Sequence, residues 1–372
     1  MKLFRPIRLL LLAMLIALVT GGLWLWNHIS NLADPIITPL NDSYTNLSTV
    51  PEKHLGIRMT PLTFTGWDGG EVTAILAEKD DEESARQRTV SADLLSHRAD
   101  DLRHIDYALV CVDWDHGIRS ALPLAEYLTA AGITCVLWEP RGSNNRRTHC
   151  THGLKECEDV PLLLDTVTRL SGKERPVIIA VGQGYGAGML LQAAARDERI
   201  RGIVSIDAYA SLRESISRTM PDSLLSTVKL ALMDIKINGV VGYECFDVAP
   251  VESAANLNRN TPALIINIAR TNPICTIKDA ITIFRQLPCD TKGIWTLHSQ
   301  QDPVDATTRT YTYAVGKDER AATASIELQL IKNEEEVFTS IIHWLNEDFL
   351  NAIDKPHVST PDRPVLTTDK QL

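Results

Sequence analysis

Outside its first eight residues the sequence of 372 residues has no block of lysine and arginine, and its formal net charge is −10. A chain with that balance lacks the electrostatic footprint of a nucleic-acid-binding protein. No internal repeat of about 20–50 residues runs through it, which excludes a solenoid or a propeller. Cysteine is present in an odd number, seven, so complete internal pairing is impossible. Charge is missing altogether from one stretch. Between Arg8 and Asp34 there is no charged residue.

That stretch is the most legible local feature. Lys2, Arg5 and Arg8 precede LLLLAMLIALVTGGLWLW, residues 9–26. An apolar helix of about 18–20 residues can cross the hydrocarbon core of a bilayer. The cations predict that its N-terminal end stays in the cytoplasm. Trp24 and Trp26 fit interface anchors, and no A-x-A cleavage pattern follows. Residues 1–26 are therefore read as a single-pass membrane anchor, with a cleaved secretion signal as the alternative. Both readings place the rest of the chain on the extracytoplasmic side, in the periplasm or at the cell exterior. Residues 27–55 are polar, with Pro35, Pro39 and Pro51, and read as a linker. Residues 352–372, with Pro356, Pro361 and Pro364, read as a flexible tail.

The folded unit is then residues 56–351. Two β-rich runs, 56–65 and 71–78, flank Trp67-Asp68-Gly69-Gly70, and Asp-Gly between such runs predicts a hairpin. From residue 107 onward short apolar runs alternate with helical spacing. The runs are 107–114, 133–140, 176–182, 200–207, 262–269 and 293–298. The helical segments include 121–131, 157–170, 187–196, 276–286 and 334–350. Such alternation implies a mostly parallel central sheet with helices on both faces. Residues 208–260 separate two strands by more than one helix needs, and read as a short lid insertion over the C-terminal edge of the sheet.

One turn carries chemistry in its spacing. Val181-Gly182-Gln183-Gly184-Tyr185-Gly186-Ala187-Gly188 follows an apolar strand and opens a helix. The pattern G-x-?-x-G at such a junction is that of a nucleophile elbow, where small flanking residues let the helix pack tightly on the strand. The central residue is Gly184. A glycine-rich phosphate loop is the competing reading. It lacks the Lys-Ser/Thr pair, and no acidic residue stands at dinucleotide spacing.

With these segments the chain resembles the α/β-hydrolase superfamily, closest to bacterial membrane-anchored esterase and serine-aminopeptidase-like members. The resemblance runs from about residue 56 to 353. It is carried by His116-Gly117 after the strand at 107–114, Leu124-Ala125-Glu126-Tyr127-Leu128 before Gly132, and Pro140-Arg141-Gly142 with Glu139. It also rests on Thr151-His152-Gly153 with Glu156 and Asp159, and on Phe246 to Val251 at the close of the lid. The resemblance implies an α/β-hydrolase fold and a Ser-His-Asp triad, and the triad positions are substituted. Gly184 stands for the nucleophile, Asn272 for the acid in Arg270-Thr271-Asn272-Pro273-Ile274, and Gln301 for the histidine. Oxyanion-hole donors would be backbone groups near Gly117, Ile118 and Tyr185, which need no particular side chain.

Acyl transfer requires a nucleophile, a base and a group that orients the base. Nearby residues offer replacement groups. Asp207 could stand in for the acid and His298 for the base; their other reading is a turn cap and a hydrogen-bonded structural histidine. Ser205, Ser211 and Ser299 lie near strand ends, where serines usually cap. Asp113, Asp115 and His116 form one polar cluster, and His149, Cys150, His152 and Cys157 another. Neither has the spacing of a common zinc site, so no metal and no cofactor is expected. Cys111 and Cys135 sit in apolar runs as small hydrophobes. Cys150 and Cys157, close together in a polar loop, form the candidate disulfide. The sequence therefore predicts an exported, membrane-tethered hydrolase-like protein without serine-hydrolase activity. It would bind a small acyl or peptide-like ligand or an envelope partner. The alternatives are an active esterase or peptidase with displaced catalytic residues, and a structural envelope protein.

Overall fold

A computed structural model of the chain describes residues 4–38, 53–54, 56–80, 102, 104–111, 117–140, 149–221, 223–268, 273–299, 301–303, 306–315, 322–334 and 336–353. The expected tail beyond residue 353, Asn272, and the cluster of Asp113, Asp115 and His116 lie outside the described residues.

The six apolar runs form the strands β4 (Tyr107–Cys111), β5 (Thr134–Trp138), β6 (Ile178–Gln183), β7 (Ile200–Ile206), β8 (Ala263–Asn267) and β9 (Lys292–Leu297). All six are parallel to their neighbours within this set, as expected of strands that are apolar on both faces. Ahead of them, β1 (Lys53–His54), β2 (Ile57–Thr65) and β3 (Glu71–Lys79) pair antiparallel, and β3 joins β5. The predicted hairpin between β2 and β3 is present. Its turn is closed by the Gly66 N–H to Gly70 carbonyl bond and by the Asp68 carboxylate, which accepts from the Gly70 N–H. With β10 (Thr308–Val315) and β11 (Ala322–Ile331) beyond β9, the order across the sheet is β1-β2-β3-β5-β4-β6-β7-β8-β9-β11-β10. Because β4 lies between β5 and β6, the connections leaving it diverge. Open α/β sheets place their crevice at such a point.

Helices cover both faces: α2 (Leu122–Ala130), α3 (Val160–Ser171), α4 (Tyr185–Ala194), α5 (Leu212–Arg218), α6 (Leu224–Val241), α7 (Pro250–Ala254), α8 (Ile277–Gln286), α9 (Glu336–Trp344) and α10 (Leu350–Ile353). Strand alternation divides the core into two layers. Val136, Ala180 and Ile265 fill one with Met189 and Leu190. Leu137, Val181 and Ile266 fill the other with Val110 and Val204. The expected last helix is interrupted between α9 and α10 by a π-helical turn, Leu345–Phe349. That turn presses the buried Phe349 ring onto β7, where a Cβ on Gly202 would come within 2.4 Å of it.

Three features differ from expectation. First, β10 (Thr308–Val315) and β11 (Ala322–Ile331) form an antiparallel hairpin at the sheet edge, with β11 parallel to β9. Second, the inserted residues 208–260, expected to form a short lid, are mainly helical, with α6 alone spanning 18 residues. Third, the N-terminal helix α1 (Phe4–Ile37) does not stop at residue 26. It runs eleven residues into the segment expected to be a linker, even though Pro35 withholds one backbone donor. Tertiary packing accounts for the extension. Ile29, Ala33 and Ile37 are buried in a third apolar cluster with Tyr209, Met233, Ile237 and Phe246.

Candidate functional site

The elbow is built from steric necessity outward. β6 ends at Gln183 and α4 begins at Tyr185, so the chain reverses at a single residue, Gly184. A Cβ on Gly182 would lie 2.5 Å from Cα of Ala187, and one on Gly186 would lie 2.3 Å from the carbonyl oxygen of Cys111. Both flanking positions therefore exclude any side chain. Gly184 itself has φ 55° and ψ −120°, the backbone of a nucleophile elbow, which strains a residue with a Cβ but not glycine. Its N–H donates to the Ile206 carbonyl at 2.8 Å, which ties the turn to the end of β7.

Next to Gly184 the site is filled with aromatic and neutral polar groups. The Tyr185 ring lies edge-on to His152 with centroids 5.5 Å apart, and Tyr209 flanks the same imidazole at 6.2 Å. His152, at φ 54°, bonds through Nε2 to the carbonyl of Ile36 at 2.8 Å and through Nδ1 to the Tyr209 hydroxyl at 3.4 Å. The first contact requires Nε2–H to donate, so Nδ1 accepts from the tyrosine. The Cys150 N–H donates to the Ile37 carbonyl at 2.9 Å. The end of α1 is thus joined to the loop beside the elbow by these two hydrogen bonds, and the Thr38 hydroxyl adds a third against His149 Nδ1 at 3.1 Å.

That loop is held by Glu156. Its buried carboxylate accepts from the N–H groups of Thr151 and Gly153 and from the Thr151 hydroxyl. Burial raises the Glu156 carboxyl above its usual range. Burial also pushes the Cys150 thiol and the Tyr185 phenol well above their ordinary values, and lowers His152 to about 4. At neutral pH the thiol, the phenol and the imidazole beside the elbow are therefore all uncharged.

The other expected site residues are dispersed. Asp207, at φ 52°, follows β7 directly. Its Oδ1 accepts from the Ile268 N–H at 2.8 Å and from Asn267 Nδ2 at 2.9 Å, so it clamps the ends of β7 and β8 together. His298 follows β9; its Nε2 lies 2.8 Å from the Pro303 carbonyl. Gln301 is exposed on the next turn, where its N–H donates to Ser299 Oγ. Asp302 in that turn is held well below the usual carboxylate range, first by Arg309 and also by Ser299. With β9 three strands from β6, Gln301 springs from a strand end about 14 Å from the elbow strand. Gly117, at φ 65°, and the buried Ile118 start the 3₁₀ turn that follows the undescribed residues after β4. Ser205 is buried within β7, Ser211 caps α5, and Ser299 bonds Asp302. Among the described residues no group of three or more His, Cys, Asp or Glu side chains converges as a ligand set.

The Cys150–Cys157 bridge is not formed. All seven cysteines are buried and none is in a disulfide. The two sulfurs face different partners: Cys150 Sγ accepts from the His152 N–H, and Cys157 Sγ donates to the Met189 carbonyl. Tyr209 and the end of α1 were not foreseen at this site. Both reach it from segments far away in sequence, and no local pattern announces such a contact.

No protein-family model matches the chain, and no curated protein matches its sequence. Solved structures do match. The esterase Pf2001 of Pyrococcus furiosus superposes with a TM-score of 0.52 at 11% identity, over 84% of this chain and 99% of that one. The chain has an α/β-hydrolase fold. An acylaminoacyl peptidase of Pyrococcus horikoshii (TM-score 0.48, 11% identity, 82% of this chain and 43% of that one) and an esterase domain from Rhodothermus marinus (0.40, 14%, 63% and 85%) are more distant. At the turn between β6 and α4 the chain reverses at Gly184, which carries no side chain.

Proposed function

We propose that this is a membrane-tethered protein of α/β-hydrolase fold without serine-hydrolase activity, acting through binding at the elbow region. One observation carries the reading: a turn with the backbone of a nucleophile elbow has glycine at the apex. Removing a triad nucleophile removes covalent catalysis, while backbone donors of an oxyanion hole survive. The groups at Gly117, Ile118 and Tyr185 would then hold a carbonyl or carboxylate oxygen of a small acyl or peptide-like ligand, or of an envelope partner.

Tethering is supported by α1. Residues 10–37 form a helix long and apolar enough to cross a membrane. The continuity of that helix into a packed stretch favours an uncleaved anchor over a secretion signal, because Ile29, Ala33 and Ile37 complete a core cluster. The cations Lys2, Arg5 and Arg8 favour an extracytoplasmic domain.

The test is turnover of a panel of p-nitrophenyl esters by the full chain in detergent. No rate above the protein-free blank is expected. Saturable turnover that is lost on Asp207→Asn or His298→Gln would establish instead a hydrolase with displaced groups.

A further inference from the structure

The lid helix α6 is apolar on two sides. Met233 and Ile237 face inward and are buried against the cluster that contains Ile29, Ala33 and Ile37 of α1. Leu224, Val228, Ala231, Ile235 and Gly239 recur at three- and four-residue steps and share the opposite side. That side is uncovered. Leu224 is 83% exposed and Ile235 64% exposed, and a Cβ on Gly239 would meet nothing within 4 Å. A helix apolar all round is ordinarily a core helix or a membrane helix. This one is half core, and its other half has no covering element among the described residues.

α1 packs against the inward side of α6, and its own apolar run is likewise uncovered. Leu15, Leu18 and Trp24 of α1 are all more than half exposed. The two helices are tied by Lys236 of α6. Its Nζ lies 3.6 Å from the Asp34 carboxylate and 5.5 Å from the centroid of the Trp26 ring. Trp26 stands at the end of the apolar run, where an aromatic side chain marks the lipid–water boundary. Lys236 therefore fixes the middle of α6 at the same level. Lys229 borders the apolar stripe on the same side as Lys236, a position from which a lysine reaches for headgroups while the stripe meets acyl chains.

From these observations we infer that the stripe Leu224–Val228–Ala231–Ile235–Gly239 lies in the lipid bilayer interface beside α1. The elbow end of the sheet then faces the membrane surface. The inference rests on α1 being a membrane anchor. The geometry of the elbow agrees with it. Ile36, whose carbonyl bonds His152, is ten residues beyond Trp26, a rise of about 15 Å. The lid and the elbow are thus within one small-domain radius of the headgroups. A ligand would reach the site from the lipid side.

The experiment uses the full chain in vesicles of phosphatidylcholine and phosphatidylglycerol, with and without brominated acyl chains. A bimane probe is placed in turn at Val228→Cys and Ile235→Cys in the stripe, Leu15→Cys in the anchor, and Glu174→Cys ahead of β6, at the far end of the sheet. Stripe probes are expected to show about half or more of the lipid quenching seen at Leu15, and little quenching by aqueous iodide. The Glu174 probe should show the reverse. If the stripe probes behave like Glu174 while Leu15 is lipid-quenched, the anchor stands and the inference falls. Stripe probes shielded from both quenchers would mean a protein cover, which also overturns it. Absence of lipid quenching at Leu15 would remove the anchor and the inference together.

Discussion

The replacement Gly186→Ala measures how closely α4 and β4 approach, on which the whole elbow depends. The added Cβ would stand 2.3 Å from the Cys111 carbonyl oxygen, whereas ordinary contact begins at 3.4 Å. The shortfall is about 1.1 Å, and the obstructing atom is sheet backbone. Overpacking of this kind costs about 1–3 kcal/mol where side chains can yield. Here β4 pairs with β5 and β6 on its two sides, so a cost at the upper end, about 3 kcal/mol, is expected. For a domain of this size that corresponds to a fall in Tm of about 6 °C. Intrinsic tryptophan fluorescence during thermal unfolding of the full chain in detergent would read it. Gly172→Ala is the control. Gly172, unlike the helical Gly186, has a positive φ, 65°, and a Cβ there meets nothing within 4 Å, so only a torsional cost of about 1–2 kcal/mol applies. A Gly186→Ala protein no less stable than the Gly172→Ala protein would refute the close approach.

Three further outcomes follow from the same contacts. His152 has its pKa lowered from 6.5 to about 4 by burial. Its folded-state value lies below its unfolded value, so the stability it contributes is present above pH 6.5 and is lost as pH falls toward 4, on the order of 3 kcal/mol in all. Urea unfolding at pH 7 and pH 4.5 should show a drop in the wild type that is smaller in His152→Asn; equal slopes would contradict the buried neutral imidazole, which Tyr185, Tyr209, Cys150 and Glu156 surround. Alkylation of the denatured, unreduced chain should add seven labels by intact mass, whereas a Cys150–Cys157 bridge would leave five. Deletion of residues 1–38 removes Ile29, Ala33 and Ile37 from their cluster and should expose Tyr209 and Phe246, raising binding of a hydrophobic dye; unchanged dye binding and stability would show that α1 is only a tether.

Much of the architecture was legible because parallel strands and their covering helices leave strong periodic signals. The runs at 176–182 and 200–207 became β6 and β7 with ends shifted by one or two residues. The elbow was readable from its three glycines, because their spacing answers a steric demand. The β10–β11 hairpin was missed although Ile326, Leu328 and Leu330 alternate with Ser325, Glu327 and Gln329, a period-two signal in plain view. The extension of α1 was not readable in principle. Asp34, Pro35 and Pro39 argue locally for a linker, and only burial against α6 overrides them. The neutral packing of Cys150, His152, Tyr185 and Tyr209 was equally hidden, since it joins three segments separated in sequence.

The central claim is that a retained elbow carries no serine nucleophile, and fluorophosphonate labelling of the folded full chain, with the adduct mapped by peptide mass spectrometry, tests it most directly. The account predicts no stoichiometric serine adduct. A single serine labelled to completion in protein that unfolds cooperatively would contradict it and would name the nucleophile that replaces Gly184.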